Sequence, residues 1–543
     1  MDKETLVFYL KKYVQKYKIS FLKGLFVILA VSLIAIPDIA GLFRYGHLPN
    51  FTAPYIQALR IYLFITAPVF FLPGIWGKIY FSLEIAVLSF VAMVSLILLY
   101  MFNLPISGDC FGLIFNTHLQ EATEFIMTLF RFSNIITTIL CVGFAVACTF
   151  VIWKFKWKTS ILSILTGIIL LMPLSITLLR YHYKKRLLSL AIERGSLGKF
   201  VSQYFTFKYH YSKTIKDLTK TPILPQPQIE KRHNKMTGII VIGESAWRKH
   251  LGIYGYSRNT TPELSKRNGS ILAWNNVMSA TPQTPSSIRY FLTDAVVEKP
   301  DTVDYSLIDL FNKAGYKTHW VSNQPAWGLG GYESSTTYLA LKCNSVYFLH
   351  KENPREKYDE GLLDPVEKLL QSEDSQIIFV HLQGSHIAYA QRYPEKFGSF
   401  TGCKDQIYQN ITIKSNKEIT NEYDNSIEYT DYILGQLISM LEKQKSISFL
   451  LYFSDHGECS DIDNFTQRRA VASKEKACYE VPFLMWYSQH YGIVNNSMLM
   501  NGKNNLHAPL QGDKALWTMC DAAGISWKDF PSEKSLFSKK YIQ

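Results

Sequence analysis

The sequence is short of cysteine and has no closely spaced cysteine pair. Its eight cysteines include no C-x-x-C, which excludes a cysteine-ligated zinc site. Cys141 and Cys148 lie inside an apolar run and read as packing residues. In an oxidising compartment Cys459 and Cys478 form the expected disulfide. Dense basic helices and zinc-finger spacings are lacking too. The formal charge of +13 therefore does not point to nucleic acid; many of the cations flank apolar runs, as membrane segments require. The first apolar run is too long for a cleavable signal, and no clear small-residue cleavage site follows it.

What is present divides in two. Hydrophobic residues make up 48% of the 543, but the long apolar runs fall before residue 190. They cover roughly 20–42, 60–76, 80–103, 133–153 and 158–180, each near the ~20 residues a spanning helix needs. The expectation is a transmembrane domain over 1–180 with about five spans, an interfacial helix and linker over 181–235, and a soluble domain over 236–543. Five spans put Lys3, Lys11, Lys12, Lys16, Lys18, Lys78, Lys154, Lys156 and Lys158 on the cytoplasmic side and the soluble domain outside. The Pro-rich stretch Thr221-Pro222-Ile223-Leu224-Pro225-Gln226-Pro227 reads as an extended linker. Between spans three and four lies a polar segment containing Asn116, Glu121 and Glu124. It is either a solvated amphipathic helix or a lipid-headgroup contact, since a carboxylate pairs with a primary ammonium.

Beyond the linker, β-branched and aromatic runs alternate with helical patterns. Strands are predicted at Ile239–Ile242, Thr318–Val321, Ile377–His381, Phe449–Phe453 and Pro482–Trp486. Helices are predicted at Tyr305–Ala314, Leu362–Gln371 and Asn421–Glu442. That alternation predicts an α/β domain with a mostly parallel central sheet, helices on both faces and a single large core.

Four stretches carry metal-capable side chains at strand ends or helix starts. Gly243-Glu244-Ser245 follows the first strand, where open α/β sheets place ligands. Thr284 before Pro285 reads as a helix N-cap, with Thr281 before Pro282 as its rival. Asp455-His456 follows the strand at 449–453 and delivers two ligands suited to zinc. His381 and His386 flank a Gly-Ser turn. Together Glu244, Asp455, His456 and the Thr284 hydroxyl make a four-ligand zinc site. Zinc lowers the pKa of a hydroxyl and polarises a phosphoryl oxygen. Nearby histidines can neutralise phosphate charge and protonate a leaving alkoxide.

These motifs, with Tyr254-Gly255-Tyr256-Ser257-Arg258-Asn259-Thr260-Thr261-Pro262, Ser322-Asn323-Gln324, Tyr423-Asp424-Asn425 and Tyr429-Thr430-Asp431, resemble the bacterial phosphoethanolamine transferases. The resemblance implies an inner-membrane, multi-pass enzyme whose periplasmic domain has an alkaline phosphatase or sulfatase-like fold. It implies transfer from phosphatidylethanolamine to a lipopolysaccharide or glucan acceptor by a monomer with one zinc ion and room for a second. It also implies Thr284 as nucleophile, Glu244, Thr284, Asp455 and His456 as ligands, His381 and His386 as the catalytic histidine pair, and Asn116, Glu121, Glu124 and Asn323 as substrate contacts.

Two departures stand out. Members acting on lipid A carry a further histidine beyond the Asp-His pair; here the stretch reads Asn464-Phe465-Thr466-Gln467-Arg468-Arg469, so Arg468 or Arg469 stands in its place. Those members also have closely spaced cysteine pairs. Both point toward a core-sugar or glucan acceptor. A sulfatase of the usual kind is disfavoured, because Thr284-Pro285-Ser286-Ser287-Ile288-Arg289 does not supply its Cys/Ser-x-Pro-x-Arg nucleophile sequence. A glycerol-phosphate transferase or phosphodiesterase on the same fold is the closer rival.

Overall fold

The computed structural model describes residues 21–35, 52–102, 106, 111, 132–157, 159–183, 196–225, 230–231, 235–300, 302–326, 334–352, 356–401, 416–458 and 476–542. The described residues fall into two compact units, one ending at Lys208 and the other beginning at Tyr209.

The first unit is helical. Gly74–Phe102 (α1) and Phe132–Lys154 (α2) pack along each other. Among the described residues these two helices are long and apolar enough to cross a membrane; Phe21–Ile34, Leu59–Phe71 and Ile161–Met172 are apolar but shorter. Of the five expected spans, the third and fourth correspond to these two helices, the helix Ile161–Tyr183 overlies the fifth, and the first runs past the described residues. Leu83, Val87 and Phe90 form an exposed apolar face on α1, and Ile139, Val146 and Phe150 form one on α2. Stripes of that kind are stable against lipid rather than water. Lys23 donates to the Lys156 carbonyl, and Lys78 Nζ donates to Trp153 O at 3.1 Å. One end of this unit thus gathers cations from three segments, as the sequence grouping of Lys78 with Lys154 and Lys156 requires. The expected connector contains the helix Ser196–Thr219.

The second unit is built on a seven-stranded sheet. In chain order its strands are Thr237–Gly243 (β1), Ile271–Trp274 (β2), Lys317–Ser322 (β3), Ser345–Phe348 (β4), Gln376–His381 (β5), Ser448–Ser454 (β6) and Phe483–Tyr487 (β7). They lie side by side as β2-β7-β6-β1-β5-β3-β4. Pairings from β6 across to β4 are parallel, while β7 is antiparallel to both β6 and β2. The sheet is mixed, and the expectation of a mostly parallel one holds for its centre and for the β4 side only.

Side chains of a strand alternate between faces, and here the alternation splits the core. Ile240, Ile242, Ile377, Phe379, Phe449, Leu451 and Phe453 face one layer, packed with Phe291, Leu292 and Leu516. Ile239, Val241, Ile378, Val380, Leu450 and Tyr452 face the other, packed with Tyr423, Leu434 and Leu437. The single core expected from the sequence is therefore two cores with the sheet between them. Helix Thr284–Leu292 (α3) covers the first face and helix Asn416–Gln444 (α4) the second. Each wholly buried aliphatic or aromatic side chain contributes roughly 1.5–3 kcal/mol, so both layers are needed.

The register sets up the site. Ile242 of β1 pairs with His381 of β5, and Gly243 pairs with Ser454 of β6. Glu244, Leu382 and Asp455 therefore leave the sheet together at one carboxyl-terminal edge.

The centre of the sheet leaves no room at Gly238, where an added Cβ would lie 2.5 Å from Phe449 Cζ and 2.7 Å from Ile377 Cδ1. Both neighbours are fully buried. Gly238→Ala is expected to cost about 1–3 kcal/mol, seen as a lower thermal midpoint of the detergent-solubilised chain. An unchanged midpoint would mean that the two layers yield more readily than their packing implies.

Candidate metal centre

Glu244, Asp455 and His456 come from the ends of neighbouring parallel strands. One ligand atom from each lies within 4.8 Å of the others. His456 Nε2 is 3.4 Å from both Glu244 Oε1 and Asp455 Oδ2. Its Nδ1 lies 2.7 Å from the carbonyl oxygen of Gly457. A carbonyl only accepts, so Nδ1 carries a proton and Nε2 is the ring nitrogen that faces the carboxylates. Two carboxylate oxygens and a ring nitrogen thus meet at one point, with no lysine or arginine paired to them among the described residues.

Each carboxylate is held for this role. Asp455 Oδ1 accepts from Ser245 N at 3.0 Å and from His456 N at 2.7 Å. Asp455 Oδ2 is buried with no hydrogen-bond partner among the described residues. Ser245 Oγ donates to Glu244 Oε1 at 2.7 Å. Burial, with the Asp455 carboxylate beside it, pushes Glu244 up to about 8. An orphaned carboxylate oxygen, a second strained acid and an imidazole nitrogen fit a divalent cation, and the mixed oxygen and nitrogen set suits zinc.

Thr284 completes the cluster. Its Oγ1 donates to Glu244 Oε2 at 3.0 Å and lies 3.4 Å from His456 Nε2. The sequence reading made Thr284 the N-cap of its helix; the cap is Gln283, with φ −138° and ψ 131°, and Thr284 is the first helical residue. Its hydroxyl reaches Glu244 instead of turning back on its own helix. Ser287 of the same helix donates to Asp455 O at 2.5 Å, which ties α3 to the strand end. Thr281 stands apart, bonded to Ser286 Oγ at 2.8 Å.

The histidine pair separates by environment. His381 ends β5, is 2% exposed, and neither of its ring nitrogens has a partner among the described residues. Burial holds it down to about 4, so it stays neutral at physiological pH. His386 lies past the Gly384 turn, half-buried, close enough for its charge to lower Glu244. Asn323 is wholly buried and donates to Asp359 Oδ1 at 2.8 Å. Its amide is spent on a protein carboxylate instead of an open surface. Asn116, Glu121, Glu124, Cys459, Arg468 and Arg469 lie outside the described residues.

Several supporting residues had no role in the sequence reading. Tyr423 Oη donates to Ser245 O at 2.8 Å and accepts from Trp247 N at 2.7 Å. It thereby braces Ser245, which sits at φ 54°, a conformation costly for a residue with a side chain. Asp424, also wholly buried, accepts from Tyr256 Oη at 2.9 Å and Arg258 Nη1 at 2.7 Å, with His250 Nδ1 at 2.7 Å. The Tyr254–Pro262 and Tyr423–Asn425 motifs therefore meet each other behind the site. Pairing an acid in one motif with cations in another was the signal available.

Comparison with known proteins agrees with this geometry. The sulfatase family matches residues 237–507. Phosphoethanolamine transferase EptC of Escherichia coli K12 is 29% identical over 356 residues, covering 62% of this chain and 61% of that protein. Phosphoethanolamine transferase CptA of Salmonella typhimurium is 26% identical over 505 residues, covering 87% and 85%. The chain is thus similar to phosphoethanolamine transferases, and it spans about three fifths of the length of the EptC relatives it matches. The C-terminal periplasmic domain of E. coli EptC, solved in complex with zinc, is 28% identical and covers 59% of this chain and 91% of that domain, with a TM-score of 0.53. The integral membrane protein EptA from Neisseria meningitidis is 18% identical with a TM-score of 0.68 over 94% of this chain and 97% of that one. That likeness extends the shared fold into the helical half.

A cation held at this cluster would need Glu244 as carboxylate. Its folded pKa of about 8 lies above the ordinary value, so the metal-free chain gains from this group at low pH and loses that gain as pH rises through the folded value. The thermal midpoint of chelator-treated protein is expected to fall between about pH 5 and pH 8. Zinc-loaded protein should escape that fall, and zinc affinity should strengthen over the same range. Parallel pH profiles with and without zinc would remove Glu244 from the ligand set.

Proposed function

We propose that this chain is a zinc-dependent phosphoethanolamine transferase of the bacterial inner membrane, with its second unit in the periplasm. In this reading it moves phosphoethanolamine from phosphatidylethanolamine to a lipopolysaccharide, on a core sugar or lipid A, through a phospho-Thr284 intermediate. The observation that carries the reading is the meeting of the Thr284 hydroxyl with Glu244, Asp455 and His456 at one sheet edge.

Glu244, Thr284, Asp455 and His456 would hold a zinc ion, whose charge would acidify the threonine hydroxyl and polarise the phosphoryl group. Thr284 Oγ1, once deprotonated, attacks the phosphorus of the donor lipid. The bond from phosphorus to the diacylglycerol oxygen breaks, and His386 protonates that oxygen. The acceptor hydroxyl then gives its proton to the same imidazole and attacks phospho-Thr284, which releases the threonine. His381, buried and held neutral, packs against Trp320. Asn116, Glu121 and Glu124 take the ethanolamine ammonium, a pairing of carboxylate with primary ammonium.

Thr284→Ala is expected to lower transfer by at least ~10³-fold, the scale seen when a nucleophile is removed, and to leave the thermal midpoint unchanged. Thr281→Ala should stay within about tenfold of the parent. Mass spectrometry after incubation with donor lipid should find the phosphoethanolamine adduct on a peptide containing Thr284. Its absence under single-turnover conditions sinks the covalent scheme.

Glu121→Ala is expected to raise KM for donor lipid several-fold, at ~1 kcal/mol for an exposed charge pair, while hydrolysis of a small soluble phosphodiester lacking an ammonium is unaffected. Equal losses on both substrates would remove the headgroup role.

A further inference from the structure

One buried carboxylate outside the metal centre is gripped by three donors. Asp359 is 1% exposed and opens the short turn Asp359–Leu362. Its Oδ1 accepts from Asn323 Nδ2 at 2.8 Å and from Gln383 N at 2.8 Å; its Oδ2 accepts from Gly384 N at 3.0 Å. Asn323 directly follows β3, and Gln383 and Gly384 follow the neighbouring β5. A single side chain thus joins the ends of two adjacent strands.

The turn it grips bears on a third strand end. Leu382 N donates to Ile242 O at 3.0 Å, and Ser385 N donates to Glu244 O at 2.9 Å. At Gly384, where φ is +53°, an added Cβ would lie 2.9 Å from Glu244 N and 3.0 Å from Glu244 O. The turn is therefore pressed against the main chain of Glu244 with no space between. On its far side Arg392 Nε donates to His386 O at 3.2 Å and Arg392 Nη2 donates to Ile387 O at 2.7 Å. Asp359 and Arg392 together hold both flanks of the segment that separates Glu244 from His386.

Groups that orient a metal ligand without touching the metal commonly set affinity by 10–100-fold. We propose that Asp359 is a positioning residue of the metal centre: by holding the Gln383–Ser385 turn it fixes the main chain of Glu244, and so the place of the Glu244 carboxylate. The inference rests on the reading of Glu244, Asp455 and His456 as a cation site.

The test uses the full chain in detergent. Zinc affinity is measured by competition with a chromophoric chelator, and thermal midpoints are taken with and without zinc. Asp359→Asn replaces one acceptor with a donor facing donors; zinc affinity is expected to fall by about 10–100-fold. The zinc-induced rise in midpoint should shrink with it, since that rise follows affinity. Asn323→Ala removes one donor from Asp359 and should weaken zinc a few-fold, in the same direction. On a soluble phosphodiester at fixed zinc, kcat should fall while KM holds. If both variants bind zinc as tightly as the parent, and merely lower the midpoint equally with and without it, Asp359 is only structural and the proposal is overturned. Should Asp359→Asn fail to fold, Asn323→Ala decides alone by the same criterion. If the parent takes up no stoichiometric zinc, or Glu244→Ala binds it as tightly as the parent, the cation reading fails first and this proposal falls with it.

Discussion

Two buried carboxylates set against an imidazole nitrogen are a cost that the polypeptide does not offset by itself. Glu244 and Asp455 are almost fully excluded from water, and His456 turns Nε2 toward both. Removing such charges from water is worth several kcal/mol each unless an opposite charge is supplied. No lysine or arginine is paired with them among the described residues. The surrounding fold holds the two acids close together, and burial beside Asp455 raises Glu244 to about 8, so ionisation of Glu244 and the arrival of a cation would be linked.

The sheet is what makes that possible. Parallel strands end at the same edge, so residues far apart in sequence are delivered side by side without long loops. Glu244 and Asp455 are one residue past strands paired in register along their whole length. The antiparallel β7 and its neighbour β2 close the far side of the sheet, away from β5 and its histidine turn. Packing helices on each face frees the strand interiors from any polar duty, so the polar residues collect where the strands stop. Braces then act on backbone: Tyr423 on Ser245, Asp359 on Gly384, Ser287 on Asp455.

How much of this was legible follows from how local each signal is. The five apolar runs bounded by small or polar residues became strands near their expected limits. β2 and β4 were missed: each is only four residues long, too short for its pattern to stand out, and Ser345–Phe348 is in addition a half-exposed edge strand. The metal-capable side chains could be read because each sits at a strand end. Their convergence could not, since it depends on strand order. Thr284 was placed one position early because Thr-Pro reads as cap and first turn, whereas its hydroxyl is drawn to a carboxylate 40 residues away. Asp359 carried no pattern at all; its partners lie 24 to 36 residues away in sequence. Asn323 lay within a familiar motif, and the role carried over with it differs from the bond it makes.

The same charge balance constrains chemistry at Thr284. A phosphodiester on its oxygen would add a negative charge beside Glu244 and Asp455. The amino end of α3 offers roughly half a positive charge, too little against two carboxylates and a phosphate. His381 cannot make up the difference, because burial keeps it neutral. His386, partly open to solvent, lies close enough for its charge to lower Glu244. A covalent intermediate at Thr284 therefore requires that the cation which lets Glu244 ionise stay in place through the whole cycle. With Thr284 as nucleophile, retention of the ion and turnover would be one electrostatic condition, and the residues that hold Glu244 still would bear on both.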